Sequence, residues 1–203
     1  VQTAFFTSSQ TAERMRSLCP SVNINHLPEA IETELYHSGK PLFERSIDYL
    51  EFGRCSRILD STQFDKSICV LSSKNERTGL ATRTQLADAL ADSKITLALT
   101  RLDNQPELAE GVDTLTQRYW ECMLSGIVIL GRAPQELIDI IGYDPVVHLD
   151  KDNANDQILG ILEHIEDYQE LVDRNRQRAL EHGDWKVRIE WMMGVMKKLG
   201  YEV

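Results

Sequence analysis

The sequence predicts an α/β fold, a Rossmann-like doubly wound parallel sheet. Two observations lead to the sheet. Short apolar runs alternate with stretches of helical periodicity, and each run is bounded by Gly, Pro or hydroxyl residues. Strands that alternate with helices pair in parallel, because each return crossing is made by a helix.

In chain order, "AFFTSS" (Ala4 to Ser9) reads as a strand and "QTAERMRSL" as a helix ended by Pro20. "VNINHLP" (Val22 to Pro28) is strand-like, and Tyr36 to Arg45 is a loop carrying Gly39 and Pro41. "IDYLEFGR" (Ile47 to Arg54) and "SICVLSS" (Ser67 to Ser73) are strands. A polar loop through Gly79 leads to the helix "TRTQLADALADS", capped by Thr82 or Thr84, and then to the strand "KITLALTR" (Lys94 to Arg101). A helix starting at Asp113 or Thr114 ends at Gly126 and delivers the strand "IVILG". Pro134 opens a short helix, and "PVVHLD" (Pro145 to Asp150) closes the strands. Three helices finish the chain, about Asn155 to Glu166, Tyr168 to Glu181 and Asp184 to Leu199, with Gly183 and Gly200 as stops and Asp184 as a cap.

The chain has 203 residues, enough for a substantial core, with 42% hydrophobic and 27% charged residues. No apolar run approaches the roughly 18 residues that cross a bilayer, so a cytoplasmic chain is expected, with any inner-membrane association peripheral. The net charge of −10 argues against nucleic acid as a partner, so any anion must be held locally. Cys19, Cys55, Cys69 and Cys122 lack metal-type pairing and read as reduced structural thiols. His26, His37, His148, His164 and His182 also lack metal spacing, and no "GxSxG", P-loop or "GxGxxG" occurs. The acidic residues between Asp150 and Glu170 read as a solvated face. The chain begins with Val1, so it is expected to be part of a longer protein.

Three predicted strands end in arginine, at Arg54, Arg101 and Arg132. In a parallel sheet all carboxyl ends lie on one edge, beside the ligand crevice. Guanidinium groups suit phosphate, and Gly53 and Gly131 would let backbone approach a ligand. The same arginines also fit as solvated side chains past strand ends. In the helix that follows Asp113, Thr114 and Gln117 fit a capping box. Thr114, Gln117 or Arg118, Glu121 and Ser125 recur as a polar stripe, while Leu115, Tyr119, Cys122 and Met123 remain for packing. Free amides at a helix start suit a phosphate, and a carboxylate two turns on suits sugar hydroxyls. An ordinary exposed helix face has the same periodicity.

These residues carry a resemblance. "DTLTQRYWECMLSGIVILGRAP" (Asp113 to Pro134) resembles the nucleotide-binding motif of GT-B glycosyltransferases of the "glycosyl transferases group 1" type, in which two acidic residues separated by seven others precede a glycine-ended turn and a strand. "HLPEAIETELY" (His26 to Tyr36) is similar to their interdomain linker, "LEFGR" to the first donor-domain strand and its Gly-Arg turn, and "LADALADSKITLALTR" to the helix and strand before the acidic motif.

The resemblance implies that residues 1–37 are the end of an acceptor domain and its linker, and residues 38–203 a donor domain. It implies a nucleotide-diphosphate sugar as donor, an unidentified acceptor, no metal and no cofactor. Glu121 matches the ribose-binding residue. Thr114, Leu115, Thr116 and Gln117 match the turn whose amides hold the diphosphate, with Arg118 beside them. Arg54, next to Gly53 and helped by Arg57, matches the basic residue that neutralises the diphosphate. Asp113 matches the acidic residue that faces the donor sugar. The chain departs from the pattern in having Asp there instead of Glu, followed by threonines, and in having Leu59 where a lysine is often found. Trp185, Ile189, Met192, Met196 and Leu199 read as a packing stripe on the last helix, through which another domain or chain would associate. The expected function is sugar transfer, in polysaccharide or glycoconjugate assembly. The alternative is a nucleotide-sugar-binding module without turnover.

Overall fold

The computed structural model describes residues 2–53, 69–70 and 82–202, with backbone alone at 69–70. Two parallel sheets are present among them. The smaller pairs β1 (Thr3–Phe6) with β2 (Asn23–His26) in parallel, and α1 (Ser9–Leu18) makes the crossover between them. Ser8 caps α1, its hydroxyl accepting from the Thr11 amide.

The larger sheet contains β3 (Ile47–Glu51), β4 (Cys69–Val70), β5 (Ser93–Ala98), β6 (Val128–Gly131) and β7 (Val147–His148), in the spatial order β4-β3-β5-β6-β7 and parallel throughout. The remaining helices are α2 (Arg83–Ala91), α3 (Arg101–Asn104), α4 (Pro106–Ala109), α5 (Gln117–Ser125), α6 (Gln135–Ile141), α7 (Ala154–Glu163), α8 (Gln169–His182) and α9 (Trp185–Lys198). This is the doubly wound Rossmann-like fold that the alternation predicted.

Both faces of the large sheet are covered, as parallel sheets require. Leu50, Phe52, Ala98 and Ile129 pack on Leu90 of α2, on Tyr119, Trp120 and Met123 of α5, and on Leu137 of α6. Tyr49, Ile95, Leu97, Val128 and Leu130 pack on Ala154, Ile158 and Ile161 of α7 and on Val172 of α8. Gly131 shows why a side chain is absent at the end of β6. A Cβ there would lie 1.9 Å from the Ala98 carbonyl oxygen, with φ at +148°.

α9 returns to the N-terminal unit. Asp184 caps it, accepts hydrogen bonds from the Thr33 amide and hydroxyl, and lies in a bridge with Ile31. Trp191 meets Phe5 of β1 edge to face at 6.2 Å. The stripe expected on α9 is only partly covered, because Ile189 and Leu199 are 46% and 41% exposed. Among the described residues no helix is long and apolar enough to cross a membrane.

Around the site the boundaries and caps differ from the sequence reading. The strand expected to reach Arg101 stops at Ala98, since Asp103 accepts hydrogen bonds from the Thr100 amide and hydroxyl and turns the chain into α3. The helix expected from Asp113 or Thr114 starts at Gln117, with Thr116 extended at φ −118° and ψ 158°. The capping box expected at Thr114 and Gln117 is not formed, and boxes are present instead at Thr82 with Gln85 and at Thr100 with Asp103. Leu115 keeps the earlier stretch extended, because its side chain is fully buried and its amide is taken by Glu136.

Candidate functional site

In the large sheet β3 connects outward to β4, while β5 and β6 build the other way. The reversal between β3 and β5 opens a crevice at their carboxyl ends. A cleft of about 1090 Å³ lies there, lined by Phe52 and Gly53 after β3, by Leu99 and Arg101 after β5, and by Thr114 to Arg118 with Glu121 from the start of α5. That volume suits a ligand larger than a single sugar ring.

The start of α5 brings the cleft its positive end. Among the described residues the amides of Gln117 and Arg118 have no protein partner, whereas the Tyr119 amide folds back on the Thr116 carbonyl. Unpaired amides and the helix dipole favour an anion at this position. The Arg118 guanidinium lies over the Phe52 ring at 5.0 Å. It fills the space that a side chain on Gly53 would take, since a Cβ there would lie 2.1 Å from Nη2.

Glu121 lies one turn further along the same helix. Its Oε1 accepts a hydrogen bond from the Tyr36 hydroxyl at 2.9 Å. Burial pushes its carboxyl above the ordinary range, and the Tyr36 bond with the charges of Arg118 and Arg83 offsets that only in part. Burial and the neighbouring carboxylate likewise push the Tyr36 hydroxyl far up, so it stays a donor. The Gln117 amide group donates to the Ala30 carbonyl, so this side chain ties α5 to the segment before Tyr36.

Asp113 lies at the edge of this arrangement with its charge already matched. Arg132 holds it with two hydrogen bonds, binds Asp103 through Nε, and donates to the Thr100 hydroxyl. The sequence left Arg132 either facing an anion or solvated past its strand, and the structure shows neither, because its guanidinium is taken up by Asp103, Asp113 and Thr100. Ser125, expected on the polar stripe, is fully buried. Arg54 and Arg57, the expected diphosphate partners, lie outside the described residues. Leu115, Thr116 and Thr114 line the cleft, and Arg101 stands in its wall, exposed.

Besides Tyr36, the contributors Phe52, Lys151 and Glu136 were not anticipated. Phe52 and Lys151 line the cleft because each follows a strand at the carboxyl edge, and that position was the available signal. Glu136 is buried, and its carboxylate holds the Leu115 amide at 2.9 Å. A glutamate in a first helical turn ordinarily reads as a complement to the dipole, so nothing local marked it.

The fold and the cleft define a doubly wound α/β domain with a crevice at its topological switch point. Residues 53–194 match the family described as "Glycosyl transferase-like", and the chain belongs to that family. No curated protein matches the sequence. Among solved structures, sucrose-phosphate synthase from Thermosynechococcus elongatus is similar over 97% of this chain and 58% of that one, at 11% identity and a TM-score of 0.62. HepE of Anabaena, determined in complex with UDP-glucose, is similar over 98% of this chain and 64% of that one, at 12% identity and a TM-score of 0.61. These likenesses show the fold, that of the C-terminal domain of GT-B glycosyltransferases. The chain spans about three fifths of the length of either protein.

Proposed function

We propose that this chain is the donor-binding part of a glycosyltransferase that moves a sugar from a nucleotide-diphosphate sugar to an acceptor hydroxyl in polysaccharide or glycoconjugate assembly. In this reading residues 1–37 end an acceptor-side domain and its linker, and residues 38–203 form the donor domain. The observation that carries it is the meeting, in one cleft at the sheet's reversal point, of free amides at the start of α5, the Arg118 guanidinium and the half-buried Glu121.

The chemistry follows from that grouping. As the bond between the sugar's anomeric carbon and the diphosphate oxygen breaks, negative charge grows on the diphosphate, and the acceptor oxygen bonds to the anomeric carbon while its proton passes to the departing diphosphate. Amides and a guanidinium already aimed at the departing oxygens stabilise that charge more than they stabilise the intact donor. Glu121 accepts from the ribose hydroxyls. Gly53, Arg54, Arg57 and the segment Thr114 to Gln117 complete the diphosphate cradle.

The ion pairing of Asp113 favours a second reading at one point. A carboxylate already engaged by Arg132 on both oxygens has little left to offer a donor sugar, which suits a nucleotide-sugar-binding module without turnover. A thermal-shift panel of UDP-, GDP-, ADP- and CMP-sugars on the purified chain tests the shared part of both readings. One member should raise the melting temperature by several degrees, and a flat panel refutes both. Sugar transfer once an acceptor domain is supplied separates the first from the second.

A further inference from the structure

The loop from Asp113 to Thr116 is not held by its own domain alone. The Asp113 amide donates to Oε1 of Gln10 at 2.9 Å, and the Leu115 amide donates to Oε2 of Glu136 at 2.9 Å. The other oxygen of Glu136 accepts the amide of Ser9, the first residue of α1. His26 of β2 stands 3.5 Å from that same oxygen. One buried carboxylate therefore joins two backbone amides from opposite sides of the junction, one in the loop and one in the N-terminal unit.

The energetics make this joint stiff. A carboxylate 7% exposed that lost either amide would be left with a buried oxygen lacking its hydrogen-bond donor, an outcome costly enough to hold both partners in place. The positive end of α1 adds a further attraction for the Glu136 charge. The N-terminal unit in turn is tied to the chain's end, by Trp191 on Phe5 and by the Tyr201 hydroxyl on Gln2.

We propose that Gln10 and Glu136 are positioning residues through which the first turn of α1 sets the amides of the Asp113–Thr116 loop, so that the cradle is competent only with the N-terminal unit docked. The functional half rests on reading that loop as the diphosphate turn. The coupling itself does not.

Three variants of the full chain test it. Gln10→Ala removes an exposed side chain. Ser9→Pro deletes the α1 amide at a first helical position where proline fits, and touches no atom of the loop. Glu136→Gln replaces one acceptor oxygen with an amide group that cannot accept. Amide exchange at Asp113 and Leu115, followed by NMR without ligand, should accelerate at least about threefold in each variant, including Ser9→Pro at Leu115. Titration should show UDP affinity falling about threefold to tenfold while uridine affinity stays within about twofold.

Unchanged exchange in Ser9→Pro and Gln10→Ala overturns the coupling, whatever UDP does. Equal losses for UDP and uridine overturn the assignment to the loop. Accelerated exchange in a chain that binds neither probe upholds the coupling and removes the donor reading instead.

Discussion

Arg132 grips Asp113 through both carboxylate oxygens, Nη1 to Oδ2 at 2.8 Å and Nη2 to Oδ1 at 3.0 Å, and the same guanidinium binds Asp103 at 2.9 Å. One cation thus pins the loop before α5 to the turn after β5. Burial alone would raise the Asp103 carboxyl, but Arg132 and the Thr100 hydroxyl and amide outweigh it and hold it below its ordinary value. A depressed folded value contributes stability above the unfolded pKa, near 3.8, and that contribution is lost as pH falls through the folded value. Arg132→Met should cost about 2–3 kcal/mol in urea denaturation at neutral pH. Asp103→Asn should flatten the loss of stability below about pH 4.

Glu121 has the opposite sign. Its raised carboxyl makes the folded chain hold a proton that the unfolded chain releases, so stability is greatest below the ordinary value of 4.5 and declines as pH rises through the folded value. Glu121→Gln should therefore unfold at higher denaturant concentration than the wild type at pH 7, with the advantage gone at pH 4. A group kept at a stability cost is what a binding site requires.

Arg118 and Gly53 share one space. Gly53→Ala would push a methyl group into the guanidinium and strain a residue at φ +75°, so Arg118 must leave the Phe52 ring. The expected outcome is about a tenfold loss of nucleoside-diphosphate affinity with little loss for the bare nucleoside, matched by Arg118→Met, in titration calorimetry.

Arg45 is buried, with Nε and Nη1 on the Lys40 and Ser93 carbonyls at 2.9 and 2.8 Å and Nη2 on the Ser38 carbonyl. Burial pulls its pKa down to about 10. Arg45→Met should cost about 3 kcal/mol, because three carbonyls lose charged donors at once. Thermal unfolding measures it.

What the sequence made legible was set by local physics. The runs in β3, β5 and β6 are strands because their neighbours are turn formers and helices. The burial of Tyr119, Cys122 and Met123 follows from their spacing along α5, whereas Leu115 is buried from the extended stretch before the helix. The reading stopped where a partner came from far along the chain. The delayed start of α5 depends on Glu136 binding Leu115, and the Tyr36 hydroxyl reaches Glu121 from the segment before β3. Arg132 looked free because no local pattern shows that Asp103 and Asp113 converge on it. Ser125 lies at helical spacing from Glu121, but that part of the helix is covered on every side.

The account stands on Glu121 facing a nucleotide's ribose beside an anion-binding helix start. Titration calorimetry of UDP, GDP, ADP and CDP on the wild type and on Glu121→Ala tests it directly. One nucleotide should bind the wild type and lose about 1–3 kcal/mol in the variant. Equal affinity in the two proteins, or no binding of any of the four to the wild type, would contradict it.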